Sequence, residues 1–388
     1  MGNYQKYLFK PRDSNKLNLK VLTCFTFVMF MYDVNAAELS SRVLVTTGVE
    51  YDSNPSLAES NKNPVWAYTI TPQLQLDATS ELNHWFLNSA LLIQRYSNEK
   101  VLIERQDPKF IAGWIRTYES GTYGIKANYQ EATSRNQELT STGVFVDKNG
   151  TQMTKSIEGI WDHSINDRLS ILNEAFYSIY KFSNAGSLAS YDLSELRSTL
   201  TYLNTEKLNT YSQLGYLHYS PDSTLEKTDF VRFALGADYE LNERFNFGLR
   251  GGVYKVSGHQ SENGWEAALK AKYVPNDKTS YIAELARSLG AGGIRGFQKA
   301  DSLKASWNYS LSDKNVLGAD YSLNKSKQDS QINVVAVDYQ QIGIFYERIL
   351  SNHWQARLSG SHKEVSTPNI NANSNVIGVA FAYDTLSF

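Results

Sequence analysis

Trp66-Ala67-Tyr68-Thr69-Ile70-Thr71-Pro72-Gln73-Leu74-Gln75-Leu76 alternates without a break. One set of alternate positions reads Trp, Tyr, Ile, Pro, Leu, Leu; the other reads Ala, Thr, Thr, Gln, Gln. Successive side chains of a strand project to opposite faces, so this is a strand with one apolar face and one wet face. The period recurs along the chain. Phe245, Phe247 and Leu249 oppose Asn246, Gly248 and Arg250, and Trp265, Ala267, Leu269, Ala271 and Tyr273 oppose Glu266, Ala268, Lys270 and Lys272. Such segments run about 10–15 residues, longer than the ~5–6 of soluble sheets. They match a tilted crossing of a bilayer.

Short polar connections separate pairs of these segments. They fall at Ser80–Asn83, Glu119–Gly121, Ile165–Arg168, Asn204–Lys207, Asn242–Arg244, Asn276–Lys278, Ser312–Lys314 and Ser351–Asn352. Asn, Asp and Ser favour tight turns because their side chains bond the local backbone. Tight turns spaced one strand pair plus one longer loop apart describe a hairpin array with short turns on one rim and long loops on the other. The expected fold is all-β: a transmembrane antiparallel up-and-down β-barrel of about 18 strands, or 16 if the weakly alternating segments 168–183 and 189–203 merge. Long loops are expected at Asp52–Pro64, Ser97–Gln106, Ser134–Gly150, Gly258–Asn263, Gly290–Gly296, Ser326–Gln331 and Glu364–Asn373. Ser134–Gly150 is the only one that looks long enough to constrict a lumen. Trp66 and Trp265 fall near the loop rim, and Trp85, Trp114, Trp161 and Trp354 near the turn rim, where aromatic girdles belong; Trp307 reads as a mid-strand exception.

Composition agrees. The formal charge of −2 gives no basic face for nucleic acid. A mean hydropathy of −0.41 excludes a bundle of membrane helices. At the N-terminus, Lys16 and Lys20 precede an apolar run from Val21 to Tyr32, followed by the small-residue site Val34-Asn35-Ala36. This is a signal-peptide pattern, with cleavage expected after Ala36, so residues 1–36 are read as an export signal and 37–388 as the barrel. The single cysteine, Cys24, lies inside the apolar run, which leaves the barrel without a disulfide or a Cys metal site. At the other end Leu386 and Phe388 form an aromatic tail of the kind the barrel-assembly machinery reads, with Phe388 as the signal residue. Ile377, Val379, Phe381 and Tyr383 share the opposite parity, which a bulge near Asp384 would reconcile. The chain is therefore expected in the outer membrane of a Gram-negative bacterium, in contact with its lipid.

No catalytic set emerges. The six histidines show no metal-ligand spacing, and Ser361 and His362 are strand neighbours that point to opposite faces. Gly290–Gly296 is glycine-rich but lacks the Gly-Lys-Ser/Thr ending and following helix of a phosphate loop, so it reads as a mobile outer loop. No catalytic residue, metal or cofactor is expected. Parity instead places Lys126, Arg197, Arg232, Arg250, Lys270, Lys272, Lys304 and Arg357 on the polar face, with Glu50, Asp77, Glu158, Glu195, Asp238, Glu266 and Asp320. A charge on the lipid face costs about 2–4 kcal/mol at the midplane, so these residues should line a lumen. The mixed signs predict no strong anion selectivity.

The stretch Gly48-Val49-Glu50-Tyr51-Asp52-Ser53-Asn54-Pro55-Ser56-Leu57 resembles the opening of outer-membrane barrels found with exopolysaccharide and capsule synthesis clusters, the β-barrel porin 2 type. Tyr51, Asp52, Asn54 and Pro55 carry the likeness. The resemblance implies export of a polysaccharide chain handed over by a separate periplasmic polysaccharide-export protein. The same residues also make a good turn at the head of a strand. Two other readings stand beside export: a general or solute-selective porin for uptake, and a barrel whose outer loops carry adhesive or enzymatic work.

Overall fold

The computed structural model describes residues 37–133, 150–184, 188–222, 227–258, 261–292, 296–328, 335–368 and 370–386. These form eighteen strands: β1 (Glu38–Asp52), β2 (Val65–Thr79), β3 (Asn83–Tyr96), β4 (Arg105–Tyr118), β5 (Gly121–Thr133), β6 (Thr151–Asn166), β7 (Leu169–Ser183), β8 (Tyr191–Thr205), β9 (Leu208–Pro221), β10 (Thr228–Asn242), β11 (Phe245–Ser257), β12 (Glu262–Asn276), β13 (Thr279–Gly292), β14 (Gly296–Ser312), β15 (Asn315–Gln328), β16 (Val335–Ser351), β17 (Trp354–Thr367) and β18 (Ile370–Asp384). Each strand pairs antiparallel with its neighbours in sequence, and β1 pairs with β18 from Leu44↔Asp384 to Asp52↔Val376. This seam closes the sheet into a barrel, the condition a membrane-spanning sheet must meet. Both weakly alternating segments are separate strands, β7 and β8, paired from Leu169↔Tyr202 to Tyr180↔Tyr191.

Large apolar side chains cover one face of the wall. On β11, Leu249 and Val253 are 55% and 59% exposed, whereas Tyr254 and Val256, of the other parity, are 6% and 4% exposed. Phe230 packs with Tyr254 and Val256, and Phe297 of β14 packs against them. Strands that are not neighbours can touch only across the interior of a closed sheet, so this parity faces the lumen and the exposed apolar parity faces lipid.

The tryptophans follow this division. Trp66, Trp161, Trp265 and Trp354 are all well exposed on the outer face. Trp307 is no exception. Its register partner is Tyr281, which pairs in turn with Tyr273 and that with Phe245, so it completes an aromatic row near the short-turn rim.

Three connections differ from the sequence reading. Glu364–Asn373 is not a loop, because β17 and β18 stay paired to Thr367↔Ile370. Gly290–Gly296 is the top of a hairpin paired to Gly292↔Gly296. Asp384 ends β18 without a register shift; its Oδ1 accepts the Leu386 N–H at 2.9 Å. An Asx turn, not a bulge, thus resets the parity between Phe381 and Leu386. The expected export signal (1–36), residues 134–149 of the longest loop and the terminal Phe388 lie outside the described residues.

Candidate functional site in the barrel lumen

Lumen-facing charges of β7, β8 and β10 form one bonded group. Glu174 of β7 stands opposite Arg197 of β8, Arg197 opposite Gly215 of β9, and Gly215 opposite Arg232 of β10. Glycine at the centre leaves room for the Arg232 side chain to cross β9. A Cβ at Gly215 would come within 2.7 Å of Arg232 Nε. Arg232 Nη2 therefore reaches Glu195 Oε1 at 2.7 Å, the oxygen that Arg197 Nη2 also meets at 2.7 Å. Arg197 Nη1 donates to Glu174 Oε2 at 3.3 Å. Two guanidiniums and two carboxylates thus lock one another, and charge-assisted bonds of this kind hold side chains rigid.

Glu266 of β12 belongs to the same wall and is 2% exposed, with Oε1 lacking a hydrogen-bond partner among the described residues. The same holds for Arg250 Nε on β11. Elsewhere Lys126 pairs with Glu158 across β5 and β6. Arg357 lies 3.6 Å from Glu347 and 4.0 Å from the centre of the Phe345 ring. Lys270 and Lys304 flank Glu284 in register on β12, β14 and β13. Neither these two lysines nor Lys272 forms an ion pair among the described residues. Parity alone finds every one of these basic residues in the sequence. It misses Glu174, Glu284 and Glu347, which only the strand register sets beside them.

Two segments fold inward at the long-loop rim. The first follows β1. Asp52 Oδ1 accepts the Asn54 N–H at 2.9 Å, and Asn54 is fully buried. The Asn54 side chain donates to the carbonyls of Ala58 at 2.8 Å and Asn373 at 2.9 Å, and accepts the Ala58 N–H at 3.0 Å. This knot sets Leu57 into a buried cluster with Val337, Val365 and Ala372. Tyr51 points outward and packs on Trp66, with ring centres 5.1 Å apart. The Tyr51–Pro55 stretch thus pins the first loop to the inside of the wall. The second segment is the top of the β13–β14 hairpin, whose Leu289 and Phe297 pack on the cluster of Phe230, Tyr254 and Val256. Among the described residues these two segments pack onto the inner wall, and one of them is short, which loop length alone does not reveal.

Two histidines meet carboxylates across strand pairs, His84 with Asp77 at 3.0 Å and His218 with Asp229 at 2.8 Å. Among the described residues no group of three or more His, Cys, Asp or Glu is placed to hold a metal ion.

Solved structures share the architecture. The FrpB iron transporter of Neisseria meningitidis (F5-1 variant) superposes with a TM-score of 0.52 at 9% identity, over 87% of this chain and 64% of that one. OccK1 (OpdK) of Pseudomonas aeruginosa superposes with a TM-score of 0.51 at 9% identity, over 90% of this chain and 99% of that one. The chain thus spans less than two thirds of the FrpB structures it resembles. The likeness is one of fold. No family model and no curated protein sequence matches the chain. A closed wall with an apolar exterior and girdles of aromatic residues places the protein in the outer membrane of a Gram-negative cell.

Proposed function

We propose that the protein is an outer-membrane channel for small polar solutes. The observation that carries this is the lumen face itself, on which locked ion pairs and the lysines Lys270, Lys272 and Lys304 continue around the wall. A barrel of about 16–18 strands is wide enough to hold an aqueous path. A solute with hydroxyl or charged groups would exchange water for many weak partners along such a wall.

Both cations and carboxylates line the path, so the channel should pass ions of either sign with modest preference. Export of a polysaccharide through a periplasmic partner is the second reading. It draws on the Tyr51–Pro55 stretch, whose role in anchoring the first loop accounts for those residues without a polymer. Purified protein reconstituted in planar bilayers tests the first reading. Stable conductance steps with a small reversal potential in a salt gradient support it. A reconstituted, folded barrel that conducts nothing overturns it. Deletion of the gene followed by measurement of surface polysaccharide tests the second, and an unchanged polymer would sink it.

A further inference from the structure

Pairing between β12 and β13 stops at Ala267↔Arg287. Each strand continues beyond that point. β12 stays paired with β11 up to Val256↔Glu262, and β13 stays paired with β14 up to Gly292↔Gly296. Residues 262–266 and 288–292 are therefore facing strand edges of equal length whose mutual ladder is unmade. Carrying the register on from Ala267↔Arg287 would pair Glu266 with Ser288 and end at Glu262 with Gly292.

The hairpin leans inward instead. Leu289 and Phe297, which share the parity of the lipid-facing Leu285, lie against the inner wall. Phe297 sits 5.8 Å from the Tyr219 ring and 5.7 Å from the Phe230 ring, centre to centre. The Tyr219 hydroxyl donates to the Gly292 carbonyl at 3.4 Å, and Lys299 pairs with Glu262. What holds the hairpin is thus an apolar clasp plus a few polar bonds, while the alternative position offers a row of backbone hydrogen bonds.

We infer that the upper β13–β14 hairpin is the displaceable constriction of the channel. Docked, its arms narrow the lumen. Swung back, they complete the β12–β13 ladder and clear it. Leu289 and Phe297 are then the residues that set the balance, and with it the size of solute admitted. This rests on the channel reading above.

The test is an Asn263→Cys/Ala291→Cys double variant, which pairs the two facing edges only when the hairpin is swung back. The one native cysteine, Cys24, lies outside the described barrel. Cross-linking is read by gel mobility and conductance by single-channel recording. Wild type should show two levels. The oxidised variant should hold the upper one, on the order of twofold larger because a hairpin about 10 Å across leaves the path. Reductant should restore switching. Leu289→Ala/Phe297→Ala should spend more time in the upper level. Failure to cross-link overturns the inference, and so does a cross-link that leaves conductance unchanged. A cross-link that forms in a barrel that never conducts shows the movement but overturns the channel reading, and with it the constriction.

Discussion

Arg42, near the start of β1, grips Asp384, the last residue of β18, across the seam that closes the barrel. Its Nε lies 2.9 and 2.8 Å from the two carboxylate oxygens, and Nη2 joins the second. Asp384 is fully buried, and its backbone carbonyl contacts the His353 ring at 2.8 Å. Because β1 continues past the last β18 pair, Leu44↔Asp384, Arg42 is the residue placed to fold back over the strand end.

Removing Arg42 should weaken that seam. Arg42→Ala leaves a buried carboxylate with only the Leu386 N–H among the described residues, a loss of on the order of 2 kcal/mol for a pair whose cation is partly exposed. Urea unfolding of the barrel in lipid vesicles measures it. Asp384→Asn in the Arg42→Ala background should recover part of the loss, since the uncompensated charge is gone. An Arg42→Ala barrel as stable as wild type would show that the seam rests on the β1–β18 backbone ladder alone.

The knot at Asn54 makes a second prediction. Asn54→Ala deletes three hydrogen bonds at a fully buried position. Each is worth about 1 kcal/mol net, so opening of the first loop should become on the order of 100-fold more frequent. Lys62 lies on that loop and donates to Asn373 Oδ1 at 2.8 Å, which makes it a trypsin site whose cleavage tracks loop opening. Whole cells or vesicles expressing Asn54→Ala should be cut after Lys62 that much faster. Unchanged cleavage would mean that Leu57 and its apolar cluster hold the loop without the knot.

The strands are legible in the sequence because a two-sided strand between lipid and water writes its period into every second residue. Phe245–Leu249 and Trp265–Tyr273 need nothing else. The lumen charges follow from the same parity. The inward hairpin is not legible, because what holds Phe297 is Tyr219 and Phe230, residues distant in sequence that only barrel closure brings to it. Trp307 reads as an exception for a related reason. Its depth is set by its register with Tyr281 and not by its position along its own strand. Turn-scale features such as Asp52 and Asn54 are visible as a turn, but the grip of Asn54 on Asn373 is not.

Lys270 and Lys304 should tune ion selectivity. They flank Glu284 on the lumen face and are not committed to an ion pair among the described residues. Lys270→Glu/Lys304→Glu replaces two positive charges with two negative ones in the path, and the reversal potential in a KCl gradient should move toward cations. The shift should shrink at high salt, where the Debye length falls to about 3 Å at 1 M. Arg197→Gln, by contrast, should act mainly on stability, because Arg197 is held by Glu195 and Glu174. A selectivity unmoved by the double reversal would place these lysines off the permeation route.

Gly215 and Arg232 should behave as a coupled pair. A Cβ at position 215 would stand 2.7 Å from Arg232 Nε and 2.9 Å from its Cγ, so Gly215→Ala must displace the side chain that reaches Glu195. Both partners of that bond are largely buried, and losing it should cost about 1–3 kcal/mol. In an Arg232→Ala background nothing remains to displace, and the same Gly215→Ala change should cost close to zero, or stabilise slightly because glycine weakens a strand interior. The two substitutions should therefore depart from additivity by more than the ~0.5 kcal/mol seen for independent sites. Additive behaviour in a double-mutant unfolding cycle would mean that Arg232 reaches Glu195 by another path, and that the glycine serves only the backbone of β9.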